Sequence, residues 1–123
     1  MTKLHGVVVG HAGLAAALVG AVEQIAGLDS GLTAVSNADC DRDRLEERIM
    51  TAVGDQPTVV FIDMPSGSCL FAVMHRLQSL SDVRVVTGVN LAMLLEFVFN
   101  RDGSPADVAE HLAQVGARAI AAR

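Results

Sequence analysis

The tightest constraint on this chain is a pair of short, unbroken apolar runs rich in β-branched residues. Val7-Val8-Val9 leads into Gly10-His11, and Val59-Val60-Phe61-Ile62 leads into Asp63. A run of this kind, bounded by turn residues, reads as a strand buried on both faces of a parallel sheet. In open α/β sheets, ligands gather just outside the carboxyl ends of the strands, where strand order reverses. Neighbouring strands lie ~4.8 Å apart, so adjacency of the two runs would let His11 and Asp63 meet in that crevice.

The rest of the chain alternates strand-like and helix-like patterns, the signature of a parallel sheet covered by helices on both faces. Strand one spans about His5–Gly10, after which Leu14, Leu18, Val22 and Ile25 recur at helical spacing up to a stop at Gly27. Strand two, the weakest pattern, is Leu32–Ser36, followed by a polar loop over Asn37–Asp43. A helix carrying Leu45, Ile49 and Val53 inward ends at Gly54, and strand three covers Thr58–Ile62. The loop Met64–Ser68 opens a helix through Leu70, Met74, Leu77 and Leu80, strand four is Val83–Val86, and a short apolar helix covers Leu91–Phe99. Ser104-Pro105-Ala106-Asp107 is a helix start, with Ser as N-cap and Pro at the first position. That helix buries Val108, Leu112 and Val115 and is expected to stop near Gly116; Ala117–Arg123 fits either more helix or an edge strand. The expected fold is α/β: a three-layer sandwich with a mainly parallel central sheet in the order 2-1-3-4, with room for a C-terminal antiparallel edge strand.

At 123 residues, with 51% of them hydrophobic, the chain reads as one domain over residues 1–123 with ample core. A formal net charge of −5 argues against nucleic acid as a partner. Cys40 and Cys69 are too few and too ordinarily spaced for a disulfide framework or a zinc site. No signal peptide opens the chain, and the apolar Leu14–Ile25 stretch is too short to span a bilayer. A cytoplasmic protein that meets a membrane only through partners is the expectation.

His11 stands apart from the other histidines. It follows a buried strand directly, between small neighbours in Gly10-His11-Ala12-Gly13, whereas His5 begins a strand and His75 and His111 fall in mid-helix. Ordinary structural roles are expected for those three. Asp63 alone could merely cap a turn. Paired with His11, it would fix the ring tautomer and leave the other nitrogen's lone pair free to attack. Ser66-Gly67-Ser68 precedes a helix, and its N–H groups and hydroxyls suit phosphate oxygens. The plainer reading there is an N-cap by Ser66 or Ser68. Cys69, at the same helix start, reads as a packed thiol, and no metal or cofactor site is expected.

Several α/β sites are excluded. The only lysine, Lys3, is not in a phosphate-binding Gly-Lys-Ser/Thr loop. A receiver domain's acidic pair after strand one is missing, as is a G-x-S-x-G nucleophile turn. Gly10-His11-Ala12-Gly13 is neither a dinucleotide fingerprint nor a flavin phosphate loop.

These segments resemble the IIA component of the mannose family of the sugar phosphotransferase system. Val7-Val8-Val9-Gly10-His11-Ala12, followed in register by Ala15, Leu18, Glu23 and Gly27, is similar to the family's first strand and T-H-G turn. Asp63-Met64-Pro65-Ser66-Gly67-Ser68-Cys69 resembles its D-x-(aromatic)-G-G-S-P loop, and Gly88-Val89-Asn90-Leu91-Ala92-Met93-Leu94 its G-V-N-(I/L)-P-M-L segment. The resemblance implies a phosphotransferase component with a phosphohistidine intermediate. His11 would accept the phosphoryl group of phosphorylated HPr and pass it to a IIB component, expected here on a separate chain, for sugar uptake or regulation. Asp63 would orient His11, and Ser66, Gly67 and Ser68 would hold the phosphoryl oxygens. A homodimer is implied as well. Gly10, Ala12, Pro65, Ser66 and Cys69 depart from the family pattern, which bears on partner docking more than on the nucleophile. Two other roles fit the same histidine: the phosphotransferase subunit of a dihydroxyacetone kinase system, and a regulatory module that senses phosphorylation.

Overall fold

The computed structural model describes residues 3–123. The elements run β1 (His5–Gly10), α1 (Leu14–Ala26), β2 (Leu32–Ser36), α2 (Arg42–Val53), β3 (Thr58–Ile62), α3 (Ser68–Leu77), β4 (Val83–Thr87), α4 (Leu91–Phe99) and α5 (Pro105–Arg118). The strands form one parallel sheet in the order β2-β1-β3-β4. The continuous apolar runs are the two central strands: Val7, Val8, Val9, Val59, Val60, Phe61 and Ile62 are all at most 1% exposed.

Alternation along those strands divides the interior into two cores. Val8, Val59, Phe61 and Val86 face α1, α4 and α5. Val7, Val9, Val60 and Ile62 face α2 and α3. Each helical layer buries its apolar stripe against one face of the sheet, the three-layer architecture expected of such strands. In the first core Phe61 meets Phe97 edge to face, ring centroids 5.3 Å apart.

Three details differ from the sequence reading. In α1 the buried stripe is Ala15, Val19 and Val22, while Leu14 and Ile25 are 45% and 59% exposed. Alanine meets the sheet where leucine was the obvious candidate. In α3 the buried residues are Cys69, Ala72, Val73 and Leu77, which turns Met74 outward. Gly116 does not end α5: a Cβ there would lie 2.5 Å from Met93 Cε, so the glycine permits close packing on α4 and the helix runs on to Arg118. Beyond it the chain is irregular, and among the described residues no fifth strand joins the sheet. The α5 start is as read, with Ser104 Oγ accepting from the Asp107 N–H.

Candidate functional site

The sheet register places the site. Val9 pairs with Ile62, so β1 and β3 end side by side, and the chain leaves them as Gly10-His11 and Asp63. The Asp63 N–H donates to the Val9 carbonyl at 3.3 Å, extending the ladder one step past the strand. One carboxylate oxygen, Oδ2, then accepts twice from His11: from the backbone N–H at 2.9 Å and from ring Nδ1 at 2.7 Å. With Nδ1 carrying the proton for that bond, Nε2 keeps its lone pair. It has no hydrogen-bond partner among the described residues.

Burial alone would raise the Asp63 pKa, but the bonds from the His11 ring and amide outweigh it and hold the carboxyl below its ordinary value. The group therefore stays ionised near neutrality and can offset positive charge on the imidazole. Its other oxygen, Oδ1, is buried without a partner, so the carboxylate's hydrogen bonding is committed to His11.

The turn after His11 is held from a direction that motif reading missed. Ala12 sits in the left-handed region at φ 51°, which costs a residue with a Cβ. Its N–H donates to Asn37 Oδ1 at 3.1 Å, and its carbonyl accepts from Ser36 Oγ at 2.6 Å. The Asn37 N–H in turn donates to the Gly10 carbonyl at 3.2 Å. Ser36-Asn37 is the carboxyl end of β2, the other neighbour of β1. The expected strand order was the signal that could have found it.

The loop after Asp63 closes the third side. Gly67, at φ 96°, is the residue before α3, and a Cβ on it would lie 3.7 Å from His11 Cε1 and 3.9 Å from Nε2. The backbone thus packs against the ring edge that carries the free nitrogen. Neither serine caps the helix: the N-cap is Gly67, with no side-chain hydrogen bond. The loop is exposed from Met64 to Ser68, open to a macromolecular partner.

Cys69 is fully buried, with Sγ 3.9 Å from His11 Nδ1. Burial, reinforced by the Asp63 charge, pushes its thiol up to about 11. It is a packed neutral thiol and a poor nucleophile. His11, Asp63 and Cys69 bring one donor atom each within 4.8 Å of one another. The Asp63 oxygen in this group already accepts from both His11 N–H groups.

The remaining histidines have other attachments. His5, at the opposite end of β1, lies 3.2 Å from Thr33 Oγ1, and burial lowers its pKa. His75 contacts Glu46 at 3.1 Å and His111 contacts Glu96 at 2.8 Å. Arg42, at the start of α2, lines the same cavity as Ser68.

This is a site of a recognisable class: a carboxylate-oriented histidine at the strand ends of an open parallel α/β sheet, beside a small-residue loop that starts a helix. The family model described as the PTS system fructose IIA component matches residues 6–115. The chain belongs to that IIA family of the sugar phosphotransferase system. Among solved structures, it is similar to the mannose/sorbose specific IIA subunit of the phosphotransferase system from Enterococcus faecalis, with 24% identity, TM-score 0.83, and coverage of 99% of this chain and 96% of that one. The phosphotransferase system component EIIA from Streptococcus agalactiae superposes with TM-score 0.89 at 19% identity, covering 97% of this chain and 96% of that one. A sigma-54 interaction domain protein from Enterococcus faecalis shares the fold at TM-score 0.76 and 16% identity, with 96% and 93% coverage. At these identities the likenesses speak for the fold. No curated protein sequence matches significantly, and no described helix is long and apolar enough to cross a membrane.

Proposed function

We propose that this protein is a phosphocarrier that takes a phosphoryl group from phosphorylated HPr onto His11 and delivers it to a IIB component. The observation that carries this reading is the state of the His11 ring: Nδ1 is held by Asp63 at 2.7 Å, while Nε2 faces the Gly67 backbone at the mouth of the site. In the forward step the Nε2 lone pair attacks phosphorus as the donor histidine's nitrogen leaves with the electrons of its N–P bond. His11 keeps its Nδ1 proton and becomes a phosphorylated imidazolium, whose charge Asp63 offsets. The Ser66, Gly67 and Ser68 N–H groups and hydroxyls receive the phosphoryl oxygens. Transfer between two histidines is near thermoneutral chemistry that rests on alignment and charge complementarity. The donor set described above needs no metal for it.

The test is incubation with phosphorylated HPr, followed by mass spectrometry under mild alkaline handling that preserves phosphohistidine. One phosphoryl group per chain, on His11, is expected. Absence of labelling overturns the reading. A purified IIB component added to the phosphorylated protein should then discharge it.

We further propose that the protein acts as a homodimer. Leu91, Leu95 and Val98 on α4 are only half-buried and Phe99 is 67% exposed. Light scattering at micromolar concentration checks this, and a monomer mass overturns it.

A further inference from the structure

Next to the His11 site, the start of α2 and the first turns of α3 enclose a cavity of about 270 Å³ whose lining includes Asn37, Asp41, Arg42, Ser68 and Phe71. Two of these residues tie it to His11. Asn37 holds the Ala12 N–H. Ser68 lies between Gly67, which faces Nε2, and Cys69, whose Sγ is 3.9 Å from Nδ1. Two helix N-termini, Arg42 of α2 and Ser68 of α3, converge on the space, and each presents unpaired N–H groups that favour an anion.

Arg42 is built into this place. Its guanidinium lies 3.7 Å over the centre of the Phe71 ring, and its Nε donates to Glu46 Oε2 at 3.3 Å. Glu46 is itself only 4% exposed, and it is further anchored by His75 at 3.1 Å and Arg76 at 3.6 Å. The aromatic platform and the carboxylate restrain the guanidinium and leave both Nη groups without a hydrogen-bond partner among the described residues. A restrained arginine with its terminal fork free is suited to an oxyanion. Asp41 brings a negative charge to the same lining, but its Oδ1 is engaged in capping α2 through the Arg44 N–H at 2.9 Å. Glu46 is shared between two arginines, so it does not cancel the cation.

We propose that Arg42 is a charge clamp for the phosphoryl group on His11, donating its Nη hydrogens to phosphoryl oxygens that project past Gly67–Ser68 into this cavity. The proposal rests on the phosphocarrier reading and adds a cation to the N–H and hydroxyl donors of Ser66–Ser68. Phe71 and Glu46 are positioning residues that act through Arg42.

The test is the equilibrium between phosphorylated HPr and phosphorylated protein, with transfer rates measured alongside. Losing one charge-assisted hydrogen-bond donor set should move that equilibrium toward HPr by about tenfold or more in Arg42→Gln. Arg42→Lys should recover part of the loss, and the wild type should lose more of its advantage at high salt than Arg42→Gln does. Arg118→Gln, far along α5, serves as the control and should match the wild type. An unchanged equilibrium in Arg42→Gln, with His11→Ala still abolishing labelling, overturns the clamp and leaves the phosphocarrier reading standing. A loss that tracks lowered thermal stability and is not relieved by Arg42→Lys also overturns it. A wild type that takes no phosphoryl group from HPr removes both.

Discussion

Two histidines in this molecule point Nδ1 at a buried carboxylate, and their surroundings make them different groups. His11 meets Asp63 at 2.7 Å and His75 meets Glu46 at 3.1 Å. Each side chain is partly exposed, at 40% and 57%. The carboxylates differ in what else they serve. The Asp63 carboxylate accepts twice from His11, once from the ring and once from the backbone N–H. Glu46 is divided among His75, Arg42 and Arg76, so its charge is already offset before His75 could gain any. His11 also sits where two strands end, with the Gly67 backbone against its free nitrogen, whereas His75 lies in the last turn of α3. A histidine–carboxylate pair becomes a candidate nucleophile when the carboxylate is undivided and the second nitrogen stands free at the strand ends.

The hardest test of that contrast is deletion of each ring. His11→Ala should abolish labelling by phosphorylated HPr, while His75→Ala and His111→Ala remain labelled, as intact-protein mass spectrometry would show. Labelling that survives in His11→Ala and vanishes in His75→Ala would reverse the two assignments.

Next in size is Asp63→Asn. An amide oxygen can still accept from the His11 N–H groups but cannot offset an imidazolium. Rapid-quench measurement should therefore find transfer slowed by ~10²–10⁴-fold with the circular dichroism spectrum unchanged. Transfer at the wild-type rate would mean that the carboxylate's charge has no part in the reaction.

That His11 and Asp63 meet was legible in the sequence, and the reason is physical. Doubly buried central strands must be continuously apolar, so Val7–Val9 and Val59–Ile62 announce themselves, and His11 and Asp63 follow at their ends. Three other features are less visible. The α1 sequence is apolar on nearly every side, so periodicity could not decide whether Leu14 or Ala15 faced the sheet. Gly116 carries the same letter whether it ends a helix or admits the Met93 side chain. Arg42 and Phe71 meet across two helices joined through the sheet, a pairing that no local spacing encodes.

A smaller effect separates the two carboxylates by stability. Burial acts to raise the Glu46 pKa, but the His75 and Arg42 bonds prevail and hold it below its ordinary value of 4.5. Asp63 is likewise held below its ordinary 3.8. Each group binds its proton less readily folded than unfolded. Its contribution is therefore complete above the ordinary value and is lost as pH falls through the lower folded value. Glu46→Gln should lower the Tm at pH 7 and flatten the loss of stability below about pH 4.5. Chemical denaturation across pH 2–7 checks the slope, and an undiminished slope would assign the acid sensitivity to Asp63 and other carboxylates.

The smallest expected change concerns the turn that keeps His11 in place. Ala12 holds φ 51° while Asn37 accepts from its N–H and Ser36 donates to its carbonyl. A left-handed conformation costs a residue with a Cβ ~1–2 kcal/mol. Glycine would remove that strain while adding ~0.4–1 kcal/mol of unfolded-chain entropy. Ala12→Gly should therefore raise stability by roughly 0.5–1 kcal/mol, a Tm increase of about 2–5 °C for a domain of this size. Both backbone bonds survive the substitution, so Nδ1 should stay on Asp63 and the transfer rate should be unchanged. A slower Ala12→Gly enzyme would show that the strained alanine helps to aim the His11 ring. In that case the turn, together with the undivided carboxylate, would distinguish His11 from His75.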